Sequence, residues 1–501
     1  GQLAPSSGLT PSTALQVIQA ADTRGGDLYG VFLKTVIDKL DHQAPGGPRE
    51  AVPRPLRANP VTVRYYKVVQ HRTEVYDIVT RAFHRKPDWE ELPHGMGPAN
   101  VWNLLWTWGS PKIDFSRLLT WQKVNHFPEN KHLTRKDYLK RCCDRYTRMQ
   151  GRAGDAFRIC PATFVLPKDY VAFIEAYGDL NEQNEVLKKD GQPPVPNLWI
   201  MKPAVSSRGR GIQVISDIGQ VTYGEATVIQ QYIPNPLTLD GYKFDLRLYV
   251  LVTSFQPLEA FLYLEGFARI ATVKYTTDVS SVGNKLVHLT NSSIQRHNQE
   301  AVAQSGDAER ARDGLVGGTK INLATLRKRL ERTAPVSWEV IWGRIQEVIL
   351  KSLCMGNDHI PYQSNAFEIF GYDLLIDSDY KAWLIEINAS PSMAQEHLLD
   401  EQVKQALIDE TIDLVDPISF DRGALAKVLQ RRQRGSKDAR PPREGEGAPR
   451  SSTQQTNIDV HAILQGHRPR QYGEMPAKMG RFERLAPGKV WDSVLRARKA
   501  L

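Results

Sequence analysis

At 501 residues the chain is too long for one hydrophobic core, so two to four domains are expected. Its 41% hydrophobic and 24% charged content suits a soluble globular protein, and no apolar run is long enough to span a bilayer, so membrane insertion is not expected. A net charge of +9 points to an acidic partner; without zinc-ligand spacing, an aromatic ribonucleoprotein motif or a basic recognition helix, nucleic acid is not expected to be that partner. Four cysteines, two of them adjacent at Cys142 and Cys143, make no disulfide framework. With no signal peptide opening the chain, they fit an intracellular, cytoplasmic protein.

Residues 1–52 are rich in Gly, Pro, Ser and Ala, with one amphipathic piece at 27–40, and read as a loosely ordered segment. Residues 53–125 read as an N-terminal α/β domain with an alternating strand at 61–69 and a helix at 74–83. Four tryptophans fall between Trp102 and Trp121, and core packing is favoured for them over a stacking surface. Residues 126–235 read as a central lobe: a basic helix at 134–149 with Thr134 as N-cap, a loop at 179–197, then strands from 198 onward. Residues 236–419 read as a C-terminal lobe, with strands to Tyr275, a polar mobile loop at 295–319, a helix at 336–353 and helical material to about Asp416. Residues 420–456 are a basic linker, and 457–501 a terminal segment that docks back.

The chemistry gathers in the two inner lobes. Strands at 367–377 and 382–388 flank the polar turn 378–381, so a hairpin there sets Asp373 opposite Glu386, with Asn388 two residues further on the same face. Burying two carboxylates and an amide in apolar strands is costly without a partner, and one magnesium ion would satisfy all three. The strand ending in Lys202 is followed by a loop holding Arg208, Gly209, Arg210 and Gly211, able to lay backbone amides over a polyphosphate. No helix follows, so the loop is neither a dinucleotide fingerprint nor a Walker loop. Lys243, Asp245 and Arg247 share one strand face, and Phe244, Leu246 and Leu248 the other. That alternation also marks any half-exposed strand, but ionised groups at all three positions suit the anchoring of a triphosphate or a carboxylate. The backbone at Gln231 to Ile233 could serve either as an adenine-reading hinge or as a plain connector.

Together these residues resemble the tubulin–tyrosine ligase-like family of ATP-grasp ligases, and within it the tubulin polyglutamylases. The likeness runs from about Asn125 to Pro417. It rests on Asn125-His-Phe-Pro, Leu133-Thr-Arg-Lys-Asp, Trp199-Ile-Met-Lys-Pro, Ser206-Ser-Arg-Gly-Arg-Gly, Lys243-Phe-Asp-Leu-Arg, His288-Leu-Thr-Asn, Phe370-Gly-Tyr-Asp and Glu386-Ile-Asn-Ala-Ser-Pro-Ser, all in order. The resemblance implies an α/β (α+β) ATP-grasp-like fold, with ATP held between antiparallel sheets of the central and C-terminal lobes. It implies a reaction in which a glutamate side chain of the acceptor is phosphorylated by ATP and the resulting acyl phosphate is attacked by the amine of free L-glutamate. Such chemistry is mainly positioning and charge neutralisation.

Carried over by motif, ATP contacts are expected from Lys136, Lys202, Arg208, Gly209, Arg210, Gly211, Gln230, Gln231, Tyr232, Ile233, Lys243, Phe244, Asp245, Thr290 and Asn291. Asp373, Glu386 and Asn388 are expected to hold Mg2+; Arg247 and Glu386 are the expected catalytic groups. Arg269 is expected to grip the amino-acid carboxylate, with Lys404 a second candidate, and Ser292, Ser293, Arg208 and Ala389 are expected on the substrate side. Ser292 stands where polyglutamylases usually carry Tyr, and the stretch around Lys320 departs from the family's substrate-contacting lysine. Arg208 and Ala389 are residue types of members that start a branch. The implied partners are the acidic tails of tubulin in microtubules and a targeting subunit, at the cytoskeleton, a cilium axoneme or a basal body. The competing readings are a glycine or tyrosine ligase of the same fold, an inactive microtubule binder, and a nucleic-acid binder.

Overall fold

The computed structural model describes residues 63–499 apart from 70–71, 93–101, 116–117, 120, 149–151, 204–210, 222–226, 279–280, 296–297, 299–318, 422, 426, 429–457, 460, 466 and 469. The amphipathic piece at 27–40, the stretch Arg208 to Arg210, most of the 295–319 loop and most of the basic linker lie outside these residues. The chain divides into two units.

The first unit comprises residues up to 126 together with 363–367 and 411–478. Its sheet is parallel, in the order β2 (Trp89–Glu91), β1 (Arg64–Val69), β3 (Leu104–Thr107), β4 (Lys123–Val124). Parallel neighbours need a crossover, and helix α1 (Thr73–His84) supplies it between β1 and β2. Val75, Ile78, Val79, Ala82 and Phe83 recur at helical spacing and are all buried. Trp102, Trp106 and Trp121 are buried as well, as core packing requires. Trp121 stacks on Phe420 with ring centroids 4.1 Å apart, and Leu425, Val428, Ile463 and Leu464 complete this core. The chain just past 420 is therefore core rather than linker in character.

The second unit carries two antiparallel sheets. Helix α2 (Lys136–Thr147) begins two residues later than the sequence suggests. Thr134 closes a preceding helical turn, Lys131–Thr134, and its hydroxyl donates to the Asn130 carbonyl, so Arg135 takes the N-cap position. The first sheet runs in the order β5 (Thr163–Leu166), β8 (Thr227–Gln231), β6 (Trp199–Pro203), β7 (Gln213–Ile215). Helix α3 (Tyr170–Lys189) covers part of the segment expected as a loop. Only Phe173 of α3 is fully buried, against Trp199, so the helix has no apolar stripe to announce it.

The second sheet is built on β10 (Tyr242–Phe255), which pairs with β9 (Thr238–Leu239), β11 (Leu258–Tyr263), β12 (Phe267–Ile270) and β14 (Glu368–Ile376). Strand β13 (Lys320–Asn322) extends it beyond β12, β15 (Ala382–Asn388) beyond β14, and β16 (Phe482–Ala486) beyond β11. Helix α4 (Leu323–Thr333) follows β13, and α5 (Trp338–Asn357) is buried along most of its length. Helix α6 (Leu398–Val415) follows β15. The terminal segment does dock back, as β16 and as α7 (Lys489–Lys499), which packs on α5.

Candidate active site

The face of β10 that carries Lys243, Asp245 and Arg247 is not a solvated face. Lys243 and Asp245 are buried and Arg247 is half-buried, so each charge must find a partner inside the protein. Register supplies the partners. Across the antiparallel ladders Asp245 faces Arg269 on β12 and Arg247 faces Asp373 on β14, while Arg269 faces Lys320 on β13. Arg269 donates from Nε to Asp245 at 2.7 Å and from Nη2 to both Asp245 and, at 2.8 Å, Asp373. Arg247 donates from Nε and Nη2 to the two oxygens of Asp373. Four ions thus join in one chain over three strands, and among the described residues neither arginine donates from Nη1. Burial by itself would raise the Asp373 carboxyl, but Arg247 and Arg269 outweigh it and hold it below the usual carboxylate range.

The hairpin forms as the sequence implies, with Asp373 opposite Glu386 and a turn closed by Asp377 and Lys381. Asn388 lies opposite Gly371. Register slips between the Asp373–Glu386 and Leu374–Leu384 pairs, leaving Ile385 bulged, so Ile385 and Glu386 both reach the same cavity. A Cβ at Gly371 would meet the Pro391 side chain at 2.9 Å, so glycine leaves room for the turn that follows Asn388. The Asn388 amide lies 3.3 Å from Glu386, whose carboxylate pairs with Lys136 at 3.2 Å. Two carboxylates and an amide oxygen on paired strands are a hard-oxygen set that fits Mg2+. Oδ2 of Asp373 accepts from both arginines, whereas Oδ1 accepts only from Arg247 Nε and still has lone-pair capacity for a cation.

Facing these groups is a cavity of about 90 Å³ lined by both sheets. It shares Pro161, Lys202 and Gln230 to Ile233 with a larger cleft of about 790 Å³ that Lys136 also lines. Lys202 donates to the Gln230 side-chain oxygen at 2.9 Å; Lys243 donates to the Tyr232 hydroxyl at 3.0 Å and the His288 carbonyl at 2.7 Å. Both lysines therefore have neutral hydrogen-bond partners, and neither makes an ion pair among the described residues. Burial pushes each down to about 8, against the opposing pull of Glu386 on Lys202 and of Asp245 on Lys243.

The two sheets bring together twelve of the expected site residues around the smaller cavity: Lys202, Gln230, Gln231, Tyr232, Ile233, Lys243, Asp245, Arg269, Thr290, Asn291, Asp373 and Glu386. Gln230 spends its side chain on Lys202 and Thr163, and the N–H groups of Gln231 and Tyr232 bond to Ala162 and Leu198, so neither N–H is available to a ligand. Phe244 does not line the cavity; it is buried on the opposite face of β10. Of the expected phosphate loop only Gly211 is described. Its φ of +70° and a Cβ that would sit 2.8 Å from Pro203 both demand glycine. Arg247, Ser292, Ser293, Asn388, Ala389 and Lys404 lie outside the lining, and Lys136 lines only the larger cleft. Lys404 and Lys320 converge on Asp400, at 2.8 and 2.9 Å, in a buried triad. Asp400 and His288 were not among the sequence candidates, nor were the apolar liners Ile200, Leu289, Leu375 and Ile385. The spacing of Asp400 four residues before Lys404 was the available signal for the first.

A match to the tubulin-tyrosine ligase family covers residues 115–423. The chain belongs to the tubulin-tyrosine ligase family. It is 36% identical over 341 residues to tubulin polyglutamylase TTLL5 of Homo sapiens, a match covering 66% of this chain and 25% of that protein. It is 34% identical over 332 residues to the probable tubulin polyglutamylase TTLL2 of Homo sapiens, covering 65% and 52%. With tubulin polyglutamylase TTLL13 of Homo sapiens it shares 32% over 415 residues, covering 78% and 46%. The chain therefore spans about a quarter to a half of the length of these relatives. Mixed α/β architecture with antiparallel sheets on both sides of the cavity agrees with the fold expected of a tubulin-tyrosine ligase family member.

Arg269→Ala removes the partner of Asp245 and one of the two guanidinium groups at Asp373, and is expected to cost about 3–5 kcal/mol at neutral pH. A depressed carboxyl stabilises fully above its unfolded value of about 3.9 and loses that contribution as pH falls. With the depression of Asp373 reduced, acid unfolding of the variant should begin at higher pH than that of the parent. Urea unfolding at pH 7 and an acid titration followed by circular dichroism measure both; an unchanged acid limb would contradict the assignment.

Proposed function

We propose that this chain is an ATP- and magnesium-dependent ligase that adds glutamate to glutamate side chains of acidic tubulin tails. The observation that carries the reading is the pair Lys202 and Lys243, buried cations with neutral partners, facing the carboxylates of Asp373 and Glu386 across one cavity. Buried positive charge without a counterion is costly, and a polyphosphate would relieve it. Ile200, Leu289, Leu375 and Ile385 give the cavity apolar walls suited to a base. Asp373, Glu386 and Asn388 would hold Mg2+, which supplies positive charge to phosphate oxygens when bound.

The protein's own groups do the rest by position. Lys202, Lys243 and Lys136 hold phosphate oxygens, and Arg247, fixed on Asp373 by two bonds, adds positive charge behind that carboxylate for the phosphoryl group in transfer. The acceptor carboxylate takes the terminal phosphoryl group as ADP leaves. The amine of free glutamate then displaces phosphate, and the amine loses a proton as the isopeptide bond forms. Arg269, anchored by Asp245 and Asp373, keeps Nη1 for the carboxylate of the incoming amino acid. The Lys320–Asp400–Lys404 triad, Ser292, Ser293 and Ala389 belong to the substrate side of the same reading, and Arg208 to the phosphate and acceptor side. The net charge of +9 favours approach to an acidic tail, an attraction that salt weakens. Work at cytoplasmic or axonemal microtubules, alone or with a targeting subunit, follows from this reading.

Incubation with microtubules, Mg2+, ATP and an equimolar mixture of glutamate, glycine and tyrosine should yield tails heavier by glutamate, read by mass spectrometry. Glu386→Gln should lower the rate on the order of 10²-fold or more. Tails carrying glycine or tyrosine would overturn the donor, and no addition with tight microtubule binding would favour an inactive binder.

Bound phosphate should restore protons to Lys202 and Lys243, so nucleotide binding should take up protons near pH 8.5 and weaken as pH rises through about 8. Calorimetry in buffers of different ionisation enthalpy reads this directly. Equal observed enthalpies in all buffers would count against phosphate at these lysines.

A further inference from the structure

One pair of side chains in the cleft wall has no part in the ligase chemistry. Cys143 on α2 and Cys160, three residues ahead of β5, bring their Sγ atoms to 3.2 Å. Both line the larger cleft, beside Lys136 and Lys202. We propose that Cys143 and Cys160 are a disulfide site, bridged when a hydroperoxide oxidises the pair and reopened by a dithiol.

The backbones are already held for it. Lys140, one turn before Cys143 on α2, pairs at 2.7 Å with Asp169, which in turn accepts the Val165 N–H of β5. Closing the bridge asks the sulfurs to approach by only about 1 Å, to the usual S–S length near 2.05 Å. The two thiols divide the work by exposure. Cys160 is the more exposed of the two, so it meets the oxidant; Cys143 is buried beside it, with its Sγ close enough to resolve it. The hydrogen bond to Cys160 and burial both keep the Cys143 thiol protonated well above the ordinary range. The neighbouring Cys142 turns away, its Sγ 3.6 Å from the His132 carbonyl, and burial pushes its thiol up to about 11. Cys354 is buried within α5.

The chemistry balances with one hydroperoxide. The Cys160 sulfur attacks a peroxide oxygen, the O–O bond breaks, and a sulfenic acid and water form from hydrogen peroxide. The Cys143 sulfur then attacks the sulfenic sulfur, the S–O bond breaks, and the displaced hydroxide leaves as water with the thiol proton. Two electrons pass from the two thiols to the peroxide. The bridge ties α2, which presents Lys136 to Glu386, to the wall at Pro161, Ala162 and Thr163. On the nucleotide reading, a nucleotide that extends from the smaller cavity past the shared Pro161 and Lys202 into this cleft covers Cys160 and slows its oxidation.

The full chain is treated with hydrogen peroxide, with and without saturating Mg2+ and ATP, alkylated, digested without reductant and sequenced by tandem mass spectrometry. Free thiols should fall from the four of the sequence to two, with a Cys143–Cys160 linked peptide that dithiothreitol releases. In Cys160→Ser no linked peptide should form and Cys143 should stay open to alkylation. Nucleotide should slow linkage several-fold. Linkage at an unchanged rate with nucleotide would uphold the disulfide site while removing nucleotide from that wall. Conversion of Cys160 to a sulfinic acid without linkage, or linkage through Cys142, would overturn the proposal.

Discussion

The chain of buried ions running from Asp245 through Arg269 and Asp373 to Arg247 constrains everything around it. Three neighbouring strands must hold one register for these groups to meet, because a slip of one residue would turn every charge to the other face. Desolvating four ions is expensive, and the fork geometry of two arginines against two carboxylates is what makes it tolerable. A hydrophobic row of similar volume would serve stability at least as well. Retention of the charges is therefore best understood through the cavity they face.

That cavity is electrostatically divided. On one side Lys202 and Lys243 are buried with neutral partners, and on the other Asp373 and Glu386 stand on paired strands with Asn388 beside them. On the nucleotide reading, an anion answers the two lysines, and its divalent cation would take oxygens of Asp373 and Glu386, whose present partners are Arg247, Arg269 and Lys136. The bulge at Ile385 sharpens this arrangement by bringing an apolar side chain and a carboxylate to the same wall from consecutive positions.

Much of this was legible in the sequence. The hairpin, the face shared by Lys243, Asp245 and Arg247, and the meeting of Asp373 with Glu386 all follow from period-two alternation and one polar turn. What escaped did so for physical reasons. Two faces of β10 are buried, which alternation of charged and apolar residues cannot distinguish from one buried and one wet. Helix α3 has a single fully buried residue and no stripe, so its polar second half looked like loop. Thr134 resembles a cap in sequence but back-bonds to Asn130. The bulge, the pairing of Arg269 with two carboxylates and the contact between Cys143 and Cys160 depend on tertiary register that no local pattern encodes.

The central claim is that this cavity holds a nucleotide with its metal on Asp373, Glu386 and Asn388. Crystals grown with Mn2+ and a non-hydrolysable ATP analogue locate both, since manganese scatters anomalously where magnesium does not. The account predicts an anomalous peak between those three side chains, at roughly the 2.0–2.1 Å ligand distance of a small octahedral cation, with phosphates against Lys202 and Lys243. A nucleotide bound elsewhere, or a metal peak away from Asp373 and Glu386, would contradict it.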